Sequence, residues 1–270
     1  RININKISVK IVKMSSNAML RKLIVTLGVV CLLVVLASSF AQAQEAPPFR
    51  NDLLMDNKIY TFFMADRLEY NSINGPNPLI WDAQGWIGKD YQKFWFKAEG
   101  EALTIEPEGE MEFQGLYSRA ITPYFDLQAG IRYDFMYSGE ENRSRAFGVI
   151  GLQGLAPYFF EVDGALFVST AGDISASLEA EYDLPITQRL WGQPRIATNI
   201  ALQEVEEFGV GSGFNNVQLG FRLRYEIRRE IAPYIGVSWN RKLSETADFT
   251  RLEGGSASVF GLVGGVRMWF

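Results

Sequence analysis

The chain has 270 residues, with 26 Lys and Arg against 31 Asp and Glu, no histidine and one cysteine. Without imidazole there is no Ser-His-Asp or Cys-His relay, and Cys31 alone forms neither an internal disulfide nor a thiolate zinc cage. Counts of 25 Gly, 19 Phe, 11 Tyr and 6 Trp against 10 Pro tilt the composition toward strands, in one large all-β domain or one to two ordinary ones.

Residues 1–18 precede a credible start, Met19, and read as translated upstream sequence. Residues 19–43 have a basic start (Arg21, Lys22), an apolar run from Leu23 through Ala37, and Ala41-Gln42-Ala43 ahead of Gln44-Glu45. That is the pattern of a cleavable secretory signal peptide; the competing reading is a membrane anchor. Cys31 sits inside the apolar run, so a lipoprotein attachment site does not fit. The first 43 residues hold six bases and no acid, so cleavage would leave 20 bases against 31 acids, a net charge of −11. Such a chain has no electrostatic reason to bind nucleic acid. Residues 44–57 form a short segment expected in the periplasm, and residues 58–270 are the expected folded domain.

Past the leader no apolar run of about 18 residues recurs, so helical spans are not expected. What recurs is alternation. Phe125, Leu127, Ala129, Ile131, Tyr133, Phe135 and Tyr137 interleave with Asp126, Gln128, Gly130, Arg132, Asp134 and Met136. Similar series run through 173–183 and 217–228. A helix would scatter these charges around its circumference, whereas a strand separates them onto two faces. The spacing predicts twelve strands near 58–71, 79–89, 92–105, 109–121, 124–138, 144–155, 158–169, 173–184, 190–205, 214–229, 233–244 and 257–270. Their lengths exceed the usual 5 to 6 residues of globular strands and suit membrane strands. The expected fold is therefore all-β: a closed antiparallel transmembrane β-barrel of about twelve strands. The final strand, ending on Trp269-Phe270, has the terminal aromatic typical of the closing strand of bacterial outer-membrane barrels.

Three Pro-Tyr pairs, Pro123-Tyr124, Pro157-Tyr158 and Pro233-Tyr234, each follow a tight connection at a strand start. All three are expected at one membrane interface, where aromatics prefer to sit. The segment 209–213 is Gly-rich but lacks the Lys and following helix of a phosphate loop, and reads as a plain loop.

If alternation sets direction, the lumen collects Lys97, Glu99, Glu101, Glu110, Glu112, Asp126, Arg132, Asp134, Glu161, Asp163, Glu179, Glu181, Asp183, Arg195, Arg222, Arg224, Glu226, Arg228 and Arg267. Two readings follow. In one, the acids pair with the bases and fill a closed interior; in the other, the surplus acids form a path that attracts cations. No residue is assigned a catalytic or cofactor-binding role. Glu99 and Glu101, the nearest approach to an acid pair, share one face among many similar charges.

The runs Ala65-Asp66-Arg67-Leu68-Glu69-Tyr70 and Trp81-Asp82-Ala83-Gln84-Gly85-Trp86-Ile87-Gly88, the stretches 116–121 and 126–134, and Leu223-Arg224-Tyr225-Glu226-Ile227-Arg228-Arg229-Glu230 with Glu245-Thr246-Ala247-Asp248 resemble the copper resistance protein B family of outer-membrane proteins. The likeness covers residues 55–270. It implies a role in copper homeostasis at the outer membrane of a Gram-negative cell, with copper as ligand or substrate, beside a periplasmic multicopper oxidase. Members often carry a Met- and His-rich segment before the barrel, and here 44–57 holds only Met55 and no histidine. Soft-donor capture by that segment does not carry over. Of Met64, Met111, Met136 and Met268, parity turns only Met136 inward. The candidate metal contacts are accordingly lumenal: Glu99, Glu101, Glu112, Asp126, Asp134, Met136, Glu161, Asp163, Glu179 and Glu181. The alternative is a structural barrel closed by ion pairs and docking a periplasmic partner at the turn 184–194.

Overall fold

A computed structural model of the chain describes residues 58–73, 77–104, 108–139, 141–252 and 254–270. The expected leader and the 44–57 segment lie outside them. Among the described residues, twelve strands follow one another: β1 Tyr60–Ile73, β2 Pro78–Gly88, β3 Gln92–Leu103, β4 Glu108–Ala120, β5 Phe125–Ser138, β6 Glu141–Ala156, β7 Phe160–Ser169, β8 Ile174–Tyr182, β9 Leu190–Ala201, β10 Gly213–Tyr225, β11 Ile231–Lys242 and β12 Ser258–Trp269. Leu184–Pro185 prolongs β8 past a break at Asp183 and pairs with β9. A single α-helix among the described residues, α1 (Ser244–Leu252), interrupts the connection from β11 to β12.

Each strand pairs antiparallel with the next, and β12 pairs with β1 from Met64↔Trp269 to Ile73↔Gly261. Closure removes both sheet edges, which is how a β-structure satisfies its backbone in lipid. The connections 88–92, 120–125, 156–160, 185–190 and 225–231 lie at one end, with the start of β1. The opposite end carries the longer 201–213 segment and the α1 connection. Outer-membrane barrels keep short turns on the periplasmic side and longer loops outside, which sets the orientation.

Burial is inverted relative to a soluble sheet. Ile131 is 71% exposed while its strand neighbour on the other face, Gln128, is 1% exposed. The apolar parity of β5 and its counterparts therefore faces lipid, as the alternation predicts. The inner parity is not wholly ionic, however. Trp95, Leu116, Phe147, Val149 and Phe167 form a buried cluster against Trp86 and Ala165. At Gly130 of β5 a Cβ would fall 2.0 Å from the carbonyl oxygen of Gly115 on β4, so only glycine fits that approach.

Two expectations need correction. Tyr124 and Tyr158 project outward, 66% and 83% exposed, but Tyr234 is 5% exposed and faces the lumen. The Pro-Tyr repeat is thus shared in sequence but not in direction: Tyr234 lies four residues into β11, on the parity of Ala232. Glu226 and Arg228 are not lumenal wall residues either, because β10 ends at Tyr225 and both fall in the turn, where Arg228 and Ile231 bridge.

Candidate functional site

The lumenal wall is built from inward side chains that the strand registers align into rows. Asp82↔Glu99, Glu99↔Glu112 and Glu112↔Asp134 place four carboxylates side by side across β2 to β5. Like charges directly opposite repel, so such a row needs bases to hold it. Two arginines supply them. Arg67 donates to Asp82 from Nη2 at 2.7 Å and Nε at 3.1 Å, and its Nη2 lies 3.9 Å from Glu99. Arg132 meets Glu112 at 2.7 Å and Asp134 at 2.6 and 2.8 Å, while its guanidinium stacks over Phe147 and Phe167 at 5.2 and 4.5 Å.

The next row, nearer the loop end, differs. Glu101 faces Glu110, Glu110 faces Met136, and Met136 faces Arg143. Arg143 donates to the backbone carbonyl of Glu207. Among the described residues no ion pair engages Glu101 or Glu110.

Other sequence-predicted acids are held by bases. Lys93 reaches Asp126 at 3.0 Å, Lys97 bonds Asp163 across the lumen from β3 to β7, and Arg195 holds Glu179 and, at 3.0 Å, Glu181. Glu161 faces Glu181 near the tight-turn end and is exposed. The candidates are therefore not gathered into one centre. Among the described residues no group of three or more Cys, Asp or Glu is arranged to hold a metal ion.

A second network was not legible in the sequence. A β-bulge interrupts β1: Ala65 pairs with Ala83, and the next pair is Arg67↔Asp82, leaving Asp66 extra. Bulges re-aim side chains. Here Met64 and Asp66 precede the change of parity, and Arg67, Glu69 and Asn71 follow it, all turned inward. Asp66 lies 3.0 Å from Arg267, Glu69 accepts two bonds from Arg222 and one from Tyr234 at 3.1 Å, and Asn71 donates to Ser238 at 3.0 Å. Met64 Sδ accepts from Arg267 at 3.2 Å, so Met136 is not the only inward thioether. A further tie crosses the lumen from Gln153 to Gln84 at 3.4 Å, and Arg224 reaches Asp183 over the intervening β9 at 2.7 Å.

A family profile described as copper resistance protein B precursor (CopB) matches residues 59–270, the whole of this barrel. The chain belongs to the copper resistance protein B family. It is 40% identical over 215 residues to copper resistance protein B of Escherichia coli, covering 80% of this chain and 71% of that protein. It is 38% identical, with the same coverage, to the copper resistance protein B homolog of Pseudomonas syringae pv. tomato. Among solved structures, the NanC porin shares the fold with a TM-score of 0.51 and 12% identity, covering 76% of this chain and 98% of that one. The protein is an outer-membrane β-barrel with a role in copper resistance.

Proposed function

We propose that the barrel handles copper ions directly on its lumenal wall, with Glu101, Glu110 and Met136 as the first strand side chains an incoming ion meets. The supporting observation is that, among the described residues, no ion pair engages Glu101 or Glu110, beside wall acids that bases already hold. Two carboxylates facing each other raise the local cation concentration, and the thioether next to them favours Cu(I). Three donors spread along one wall, rather than converging, suit passage instead of storage: conduction needs binding weak enough to release.

The remaining candidates, Glu99, Glu112, Asp126, Asp134, Asp163, Glu179 and Glu181, set the lumen's potential through their ion pairs, with Glu161 acting at the tight-turn end. Copper is cargo in this reading, and the barrel performs no chemistry on it. A periplasmic multicopper oxidase would meet the ion at the tight-turn end.

The test is copper titration of the purified, detergent-solubilised barrel, read by quenching of lumenal Trp fluorescence. Glu101→Gln with Glu110→Gln should weaken the response at least tenfold. An unchanged titration would exclude this mouth as the copper contact.

The cross-lumen ties Lys97–Asp163 and Gln153–Gln84 favour a second reading, in which the barrel is closed and serves to dock a partner at the turn 184–194. A folded barrel that conducts no ions but retains a copper oxidase on a column would support it.

A further inference from the structure

The segment after β9 does not project straight from the barrel. Val205 and Val210 bridge through N–H donations of 2.7 and 3.2 Å, enclosing a 3-10 turn, Glu206–Phe208, that ends on left-handed Gly209. The tip of this loop reaches β6, past the intervening β7 and β8. There Arg145 lies over the Phe208 ring at 4.5 Å, and Arg143 donates to the Glu207 carbonyl. Arg143 and Arg145 sit on the lumenal parity of β6: Arg145 also stacks on the inward Phe147 at 4.9 Å and pairs with Asp173 at 2.9 Å.

On the far side stands α1. Arg143 of β6, Glu206 and Glu207 of the loop tip, and Phe249 and Leu252 of α1 line one cleft of about 490 Å³. β6 lies on the opposite wall of the barrel from the β11–β12 connection that carries α1. The cleft is thus lined from both walls at the loop end of the barrel.

We propose that the 205–210 loop is the outer constriction of the barrel, fastened across the mouth by Phe208 on Arg145, and that it decides the size of solute reaching Glu101, Glu110 and Met136. The proposal rests on the lumen being a conduit. Its acidic tip, Glu206 and Glu207, places negative charge over the approach, so small cations are admitted and larger or anionic solutes are turned away. Phe208 is a positioning residue here. A ring over a guanidinium that is already paired to Asp173 is a modest attachment, suited to a loop that must hold its place without being welded there.

The test uses the whole barrel in planar lipid bilayers in potassium chloride, with folding verified by heat-modifiable migration in gels. Phe208→Ala should raise single-channel conductance at least twofold and admit a pentose in liposome swelling. Replacing Glu206, Glu207 and Phe208 together with Gly should do the same, and Phe208→Tyr, which keeps the ring, should restore the parent's low conductance. Folded Phe208→Ala and triple-Gly barrels whose conductance and pentose entry equal the parent's would overturn the proposal. Because potassium and sugar are read rather than copper, the constriction can fail while the Glu101–Glu110 mouth stands, and the reverse.

Discussion

Arg222 of β10 donates from Nε and Nη2 to the two carboxylate oxygens of Glu69 on β1, at 2.9 and 3.0 Å, across the width of β11 and β12. Side-chain exposures of 5% and 2% make this the most deeply buried ion pair among those described. Its bidentate geometry and the added Tyr234 hydroxyl satisfy most of both groups. Removing one partner leaves the other charged and buried. Arg222→Met should therefore destabilise the barrel by about 3–5 kcal/mol, while Arg222→Met combined with Glu69→Leu should recover most of the loss. Urea unfolding in lipid vesicles checks this: equal loss in the single and double variants would contradict the coupling.

The orientation of the wall makes an opposite prediction on the other face. Ile131 is 71% exposed in the middle of β5, a position that would tolerate a charge on a soluble protein. In lipid it would not. Ile131→Arg should cost about 2–4 kcal/mol in vesicles, as expected near the bilayer midplane. A cost below about 0.5 kcal/mol, the usual range for a solvated surface site, would contradict a lipid-facing β5.

The loop end has its own pH dependence. Ser212 donates from its backbone N–H and its hydroxyl to Glu245 Oε2, both at 2.9 Å, holding that carboxyl below its ordinary value. A depressed folded value means the contact is at full strength above the ordinary carboxylate range, about 4.3, and is lost as pH falls through the folded value. Amide exchange at Ser212, corrected for intrinsic rates, should therefore stay protected from pH 7 to about 5 and open only in stronger acid. Glu245→Gln should remove the pH dependence. Loss of protection already near neutral pH would contradict this role for Glu245.

Much of the barrel was legible because its strands carry a strict period of two. The run from Phe125 to Tyr137 shows one face and its opposite without help from context, and β5 spans Phe125–Ser138. β1 was opaque for a local reason. The extra residue at Asp66 breaks the alternation, so Met64, Arg67 and Glu69 could not be assigned inward from parity alone. Phe147, Phe167 and Trp95 show the converse limit, since apolar residues on the inner parity look like lipid-facing ones until the register is known. The pairing of acids was invisible as well. Lys97 with Asp163 and Arg222 with Glu69 depend on strands distant in sequence, and no spacing encodes them. The expected strands 233–244 and 257–270 leave only a connection between them; the short helix there, α1, gains its place from Thr246, which accepts from the Gly211 amide at 2.8 Å.

Proteoliposomes containing the parent barrel or the Glu101→Gln, Glu110→Gln, Met136→Leu variant, loaded with a copper-sensitive dye, give the most direct reading of the copper path. The parent should admit copper at a rate that the variant reduces at least tenfold, with potassium conductance largely retained. Equal copper rates in the two barrels, or a parent that admits potassium but no copper, would contradict the account.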